Sequence, residues 1–370
     1  MTSKIALFGP VLPFRGGIAQ HTTMLRRALS KQCELRTLSF SRQYPRWVFP
    51  GKSDRDEQYK DHVEPDVDYV IDSLNPLTWR KAMRQCLEFG PDAIIIPWWT
   101  VFWAPCFGYL ARCFLREKLP LLFLCHNVVD HEVSVWKRMA TTRVLRQGTG
   151  FVTHSRRGAD EIKLLIGTTE ASVYPHPIYD HFPKPQGKLE KRAALELLFF
   201  GFVRPYKGLD VLLDAMRLLA SNDVHLSIVG EFWDGHHEIE ERMRNSGVEN
   251  RIELIPRYVD EAEAAEYFER ADAVVLPYRT ATGTGVIPIA YHYGRPVIAT
   301  DVGGLPDVVQ DGKTGLIIPP DSPRALADAI VKLGEMNADM VRTAISEFKK
   351  AMSWDGLAEH LLRRLDPCIR

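Results

Sequence analysis

The sequence predicts an α/β protein built from two doubly wound, Rossmann-like domains, and three observations carry that prediction. Short apolar runs alternate with helix-compatible segments through both halves of the chain, the pattern of parallel sheets with crossover helices. Glycine-containing loops follow strand-like runs, as in residues 9–17 and 277–285. Between the halves, residues 174–188 read YPHPIYDHFPKPQGK, with four prolines in fifteen residues, which is a linker by composition.

In chain order, residues 5–8 form a strand, 9–17 a Gly/Pro loop, and 18–30 a helix with Leu25, Ala28 and Leu29 on one face. Strand-like runs follow at 34–40, 69–71, 93–96, 121–125 and 150–153, giving a first domain over 1–174 and a linker over 175–188. The alternation then restarts with a strand at 197–200 and a helix at 208–220. In that helix Leu209, Leu212, Leu213, Met216 and Leu219 make one apolar face. Strands at 225–229 and 252–255, a helix at 261–270 and a strand at 273–276 come next. The stretch 277–304, PYRTATGTGVIPIAYHYGRPVIATDVGG, reads as loop, helix and strand (296–299). A second domain therefore spans 189–350, and 351–370 form a C-terminal helix.

Composition excludes several classes. The 370 residues are 45% hydrophobic and 25% charged, with 47 basic against 47 acidic side chains. Zero net charge argues against a protein that neutralises nucleic-acid phosphates in bulk, so no nucleic-acid partner is expected. Cys33, Cys86, Cys106, Cys113, Cys125 and Cys368 lack C-x-x-C spacing and sit mostly in apolar runs, as buried free thiols of a reducing compartment do. No signal peptide is expected, because residues 4–8 lead straight into glycines.

Residues 97–111, PWWTVFWAPCFGYLA, contain two prolines and are closed by Arg112 and Arg116. They are shorter than the ~20 residues of a membrane span. They read as a strand end, a loop and a buried helix, with an aromatic face open to a bilayer interface. The irregular segment 41–68 interleaves Tyr44, Arg46, Trp47, Phe49, Lys52 and Arg55, either to grip an acceptor or a membrane surface or as an ordinary packed loop. The D-x-D spacings at Asp54/Asp56 and Asp66/Asp68 read as solvated charges, and no metal site is expected.

The candidate ligand residues lie at strand ends, where parallel sheets bind ligands. In 277–304, Thr282, Gly283, Thr284 and Gly285 precede a helix. These glycines serve either a tight strand-to-helix turn or the close approach of a phosphate to backbone N–H groups. Gly16 and Gly17 follow the first strand, and His126 follows residues 121–125. Arg204 and Lys207 stand three apart between a strand and a helix, one a planar fork and the other a point charge.

Taken together, Gly201-Phe-Val-Arg204-Pro-Tyr-Lys207-Gly208, Ile228-Val-Gly230, Gly294-Arg-Pro-Val-Ile-Ala-Thr-Asp301-Val-Gly-Gly-Leu-Pro306 and Asp311-Gly-Lys-Thr-Gly315-Leu resemble the family 4 glycosyltransferases. The likeness extends through Gly16-Gly17-Ile-Ala, His126 and Trp354, so it covers nearly the whole chain. It implies the GT-B fold, in which two Rossmann-like domains face each other across a cleft and a C-terminal helix returns to the N-terminal domain. It also implies a cytoplasmic or membrane-peripheral retaining glycosyltransferase of glycan biosynthesis, with hexosyl transfer as the expected reaction. The donor would be a UDP- or GDP-linked sugar and the acceptor a glycan or a lipid-linked molecule. By the family's pattern Arg204 and Lys207 hold the donor pyrophosphate, Gly16 and Gly17 approach the same phosphates, and His126 lies beside the reacting sugar. Arg257, Tyr258 and Val259 pack against the base, and Gly230 lines the floor. No metal or other cofactor is implied, because the two cations can stabilise the leaving diphosphate.

One departure stands out. The family carries two glutamates separated by seven residues, and their places here hold Ala281 and Ile289, which cannot accept a hydrogen bond through a side chain. Three alternatives stay open: Thr280, Thr282, Thr284 and the loop amides take over, the donor preference differs, or activity has been lost. A non-catalytic nucleotide-sugar binder and a GT-B epimerase or phosphorylase are the competing functions.

Overall fold

A computed structural model of the chain describes residues 3–45, 54–56, 59, 61–128, 134–167, 171–178, 182–233, 235–281 and 283–369. Thr282 and the loop residues Arg46, Trp47, Phe49 and Lys52 lie outside the described residues. The chain forms two compact units, Met1–Pro175 with Ser353–Arg370, and His176–Met352.

The first unit is a seven-stranded parallel sheet in the order β3-β2-β1-β4-β5-β6-β7. Its strands are β1 (Lys4–Phe8), β2 (Glu34–Arg42), β3 (Val67–Asp72), β4 (Ala93–Trp98), β5 (Leu121–Cys125), β6 (Gly150–Thr153) and β7 (Ser172–Val173). Strands β1, β4 and β5 are wholly apolar in their buried stretches, as strands covered on both faces must be. The crossovers are α1 (Gly17–Leu29), α2 (Pro76–Phe89), α3 (Ala104–Arg116), α4 (Val135–Leu145) and α5 (Arg156–Ile166). Asn75 caps α2 by accepting the Leu77 N–H, and Gly90 ends it in a left-handed conformation.

The aromatic run after β4 gives the strand, turn and helix that the sequence predicts, and most of its rings are buried, Phe102 and Tyr109 being half-buried. Trp98, Trp99, Trp103 and Phe107 are all buried, and Trp103 stacks on Phe107 at 5.6 Å. Tyr44 joins this cluster and accepts a hydrogen bond from Trp99 Nε1 at 3.0 Å. Of the acidic D-x-D residues, Asp56 is buried and Asp68 pairs with Arg36, so neither is a freely solvated charge. Cys33, Cys86, Cys106 and Cys125 are buried free thiols.

The first unit is completed by the end of the chain. α13 (Trp354–Ile369) packs along α1, where Lys31 pairs with Asp355 at 3.1 Å and the Trp354 ring lies 4.8 Å from that of His21. Leu357, Ala358, Leu361 and Leu365 of α13 are buried.

The second unit is a six-stranded parallel sheet in the order β10-β9-β8-β11-β12-β13. Its strands are β8 (Leu195–Phe200), β9 (Val224–Val229), β10 (Ile252–Ile255), β11 (Ala273–Leu276), β12 (Val297–Thr300) and β13 (Gly315–Ile318). Its helices are α6 (Leu209–Leu218), α7 (His236–Arg244), α8 (Glu261–Arg270), α9 (Val286–His292), α10 (Leu305–Val308), α11 (Pro323–Glu335) and α12 (Ala338–Ala351). The apolar face of α6 predicted from its leucine spacing packs on α11 and on the core side of the sheet. Strand order reverses between β8 and β11, because β9 and β10 extend the sheet on one side of β8 while β11 to β13 extend it on the other. A crevice at the carboxyl ends of β8 and β11 is the expected ligand position in such a sheet.

Candidate functional site

Two segments far apart in sequence meet at that reversal. The loop after β8 carries Gly201, Arg204 and Lys207, and the loop after β11 carries Tyr278, Arg279, Thr284 and Gly285. Three glycines make the meeting possible. A Cβ on Gly208 would stand 2.0 Å from the Pro277 carbonyl oxygen, and one on Gly230 would stand 1.9 Å from the Gly201 oxygen. Gly201 itself has φ +99°, and a Cβ there would lie 3.4 Å from Lys207 Nζ and 3.8 Å from Val286 at the start of α9. The backbone has been cleared of side chains around one ammonium group.

Lys207 is 8% exposed and its Nζ lies 5.4 Å from the centre of the Tyr278 ring. Burial pulls its pKa down from 10.5 to about 8; Tyr206 opposes the shift and Arg204 adds to it. The ammonium is therefore still mostly charged at neutral pH. Arg204 is exposed and lies over Trp233 at 5.4 Å and Tyr206 at 5.8 Å. Among the described residues neither cation has a carboxylate partner. Two cations are thus held together with no anion of their own.

Arg279 fixes this loop and was not singled out from the sequence. It donates to both carboxylate oxygens of Asp210, at 2.9 and 2.7 Å, and to the Pro205 carbonyl at 2.9 Å, while its backbone N–H reaches the Tyr206 carbonyl at 2.7 Å. Asp210 is held below its usual range by these bonds despite the burial that opposes them. A neighbouring open hollow of about 170 Å³ is lined by Arg204, Asp210, Arg242 and Arg279, but Lys207 does not line it. Of its arginines, Arg279 and Arg242 are already paired with Asp210 and Asp214.

The other expected residues fall along the same carboxyl edge with different degrees of availability. Gly230 donates to the Ile255 carbonyl at 3.0 Å, which places the end of β9 beside the loop after β10. In that loop Arg257 makes a two-bond pair with Glu263, at 2.8 and 2.6 Å, so its charge is neutralised. Tyr258 is exposed and Val259 is buried. Gly283 is exposed, with open space where a Cβ would be. The Thr284 hydroxyl accepts the Val286 N–H at 3.2 Å. Ala281 and Ile289 are both buried.

In the first unit, Gly16 has φ +105° and precedes α1, and neither it nor Gly17 would crowd a neighbour if it carried a Cβ. His126 ends β5, its N–H donating to the Trp98 carbonyl at 2.8 Å. It does not stand by itself. The His21 ring lies 4.4 Å and the His154 ring 5.0 Å from it, and the three side chains could together hold a metal ion. His154 Nδ1 contacts the Tyr174 carbonyl at 2.9 Å, and burial pulls its pKa down to about 4, so it is neutral at pH 7. With Nδ1 donating to that carbonyl, Nε2 carries the lone pair.

A sequence profile of the glycosyl transferases, group 1, matches residues 194–335. A GDP-mannose:glycolipid 4-beta-D-mannosyltransferase of Xanthomonas campestris is 30% identical over 251 residues, covering 63% of this chain and 67% of the relative. A D-inositol 3-phosphate glycosyltransferase of Jonesia denitrificans is 28% identical over 249 residues, or 60% and 57% of the two chains. The matches thus span about half to two thirds of these relatives' lengths. Among solved structures, Anabaena HepE in complex with UDP superposes with a TM-score of 0.74 at 17% identity over 98% of this chain and 100% of that one. The sucrose-phosphate synthase of Thermosynechococcus elongatus gives 0.72 at 19% identity over 99% of each.

Two reversed parallel sheets with their glycine-cleared strand ends have the GT-B fold. The chain belongs to the group 1 glycosyl transferases. No helix among the described residues is long and apolar enough to cross a membrane.

Proposed function

We propose that this protein is a retaining glycosyltransferase that moves a hexose from a UDP- or GDP-linked donor to a glycan or a lipid-linked acceptor at the cytoplasmic side of a membrane. The observation that carries the reading is Lys207, a nearly buried cation without a carboxylate, held beside Arg204 at the reversal of the second sheet. A diphosphate is the anion that such a pair suits: the guanidinium can grip two oxygens while the ammonium meets a third. When the bond from the sugar's anomeric carbon to the β-phosphate oxygen breaks, the electron pair stays on that oxygen. The acceptor hydroxyl oxygen forms the new bond on the face just vacated, its proton passing to the departing phosphate oxygen. Fixed cations stabilise the charge that develops on the leaving group more than they stabilise the bound donor. They supply the charge that a divalent ion would otherwise bring, so no metal is required in this reading.

Gly230 forms the floor, the amides of 282–285 approach the donor, and Tyr258 with Val259 offers the surface for the base. Gly16, Gly17 and His126 take the roles the family resemblance gives them. Two relatives favour this substrate class: one is named for GDP-mannose and a glycolipid, and one neighbour was solved with UDP. The buried, apolar Ala281 and Ile289 favour a second reading, a nucleotide-sugar binder without turnover.

The test is release of nucleoside diphosphate from a panel of UDP- and GDP-sugars, with and without acceptors, for the wild type and Lys207→Ala. Turnover with one donor, lost in the variant, together with a product of unchanged anomeric configuration by NMR, is expected. Tight donor binding without release from any panel member would select the second reading.

A further inference from the structure

We propose that the exposed face of α4 is a docking surface for bilayers that contain anionic lipid. The sequence offered two other places for membrane contact, and the structure buries one of them. On α4, by contrast, Val135, Trp136 and Met139 are 78%, 63% and 67% exposed. The helix is anchored from its other side, where Thr141, Val144 and Leu145 are buried and Val144 packs near Gly108 of α3. It therefore has two apolar faces, and the domain core uses only one of them.

The arrangement of charge on the free face identifies its partner. At 3.6 residues per turn, Val135, Met139, Arg143 and Arg146 fall on one edge, with Trp136 beside them. The apolar wedge is at the first turn and the arginines follow on the same side. Residues 135–146 contain Lys137, Arg138, Arg143 and Arg146 and no acidic side chain. Among the described residues, Arg138, Arg143 and Arg146 pair with no carboxylate. An indole and a thioether reaching to the acyl boundary, with arginines at the level of lipid phosphates, is the chemistry of a helix lying in a membrane interface. A protein partner would have to bury two unpaired arginines beside a tryptophan and match each with an acid of its own. A bilayer supplies phosphates at any position.

This surface gives a location to the membrane-bound acceptor and rests on the reading above only for its use. Its test involves no sugar transfer, so the two can fail separately. The full chain is sedimented with vesicles of phosphatidylcholine alone and of phosphatidylcholine mixed with phosphatidylglycerol. The wild type should bind the mixed vesicles, bind neutral ones far less, and be released by salt. Trp136→Ser with Met139→Ser should weaken binding about tenfold or more. Arg143→Gln with Arg146→Gln should weaken it about 25-fold, at roughly fivefold per cation. Met340→Ser, an equally exposed position in the second unit, should leave it unchanged. Circular dichroism checks that each variant is folded. Wild-type protein that ignores anionic vesicles, or variants that bind as it does, would overturn the proposal. So would self-association in lipid-free solution that the Trp136 and Met139 substitutions abolish.

Discussion

Replacing Lys207 by methionine should stabilise the protein while removing its donor binding, and that opposed pair of effects is the sharpest test of a recruited cation. Burial lowers the lysine pKa from 10.5 to about 8. At about 1.4 kcal/mol per pH unit of displacement, holding the charged form in the fold at pH 7 costs on the order of 3 kcal/mol. Methionine has a similar volume and no charge. Its gain is offset by the lost attraction to the Tyr278 ring, of order 1–2 kcal/mol. A net stabilisation of about 1–2 kcal/mol is expected by urea unfolding at pH 7. The sign with pH follows from proton counts. Between about 8 and 10.5 the unfolded lysine holds a proton that the folded one has lost, so wild-type stability rises across that window. The Lys207→Met protein should lack this rise. UDP affinity, measured by calorimetry, should be level in the wild type below pH 8, fall by about tenfold per pH unit above it, and be weak throughout in the variant. Net destabilisation of the variant, or unchanged UDP affinity, would show that the ammonium serves the scaffold and not a ligand.

Three further outcomes are expected. Arg204→Ala should fold normally, bind donor weakly and lose about 10²–10³ in transfer rate, measured with affinity on the same sample, because among the described residues its guanidinium lies over aromatic rings and pairs with no carboxylate. Gly230→Ala should lower thermal stability by more than about 3 kcal/mol, since its Cβ would meet backbone, whereas Gly283→Val should melt like the wild type and lose donor binding in a thermal-shift assay. His154 is neutral in the fold down to about pH 4 but protonates near 6.5 when unfolded, so wild-type stability should decline as pH falls from 6.5 toward 4. His154→Asn should flatten that acid limb by on the order of 1–2 kcal/mol, the figure being reduced for the ring's partial contact with solvent.

Most of the sheet was legible because its strands are continuous apolar runs bounded by glycine or proline, as at 93–96 and 273–276. The two-residue strand β7 was not, since Ser172 and Val173 have no periodicity to read and are recruited only by pairing with β6. Arg204 and Lys207 were legible through their position between a strand and a helix. Arg279 was visible as a residue but not as a clamp, because both of its acids, Asp210 and Asp321, lie tens of positions away. His126 could be picked out by its strand end, but His21 and His154 join it from α1 and β6 only in three dimensions. The aromatic run at 97–111 misled in the opposite direction: density of rings marks a large core as readily as an interface.

The completion of the first unit by α13 has a consequence for synthesis. Residues 176–352 are contiguous, and can fold as soon as Met352 clears the ribosome. The earlier-made unit cannot close until Trp354, Leu357, Leu361 and Leu365 have followed. Until then the groove of α1 that receives them is open to water, so the part of the protein made first is the part finished last. A chain truncated after Met352 should therefore carry a protease-resistant second unit joined to a first unit that is still cleavable.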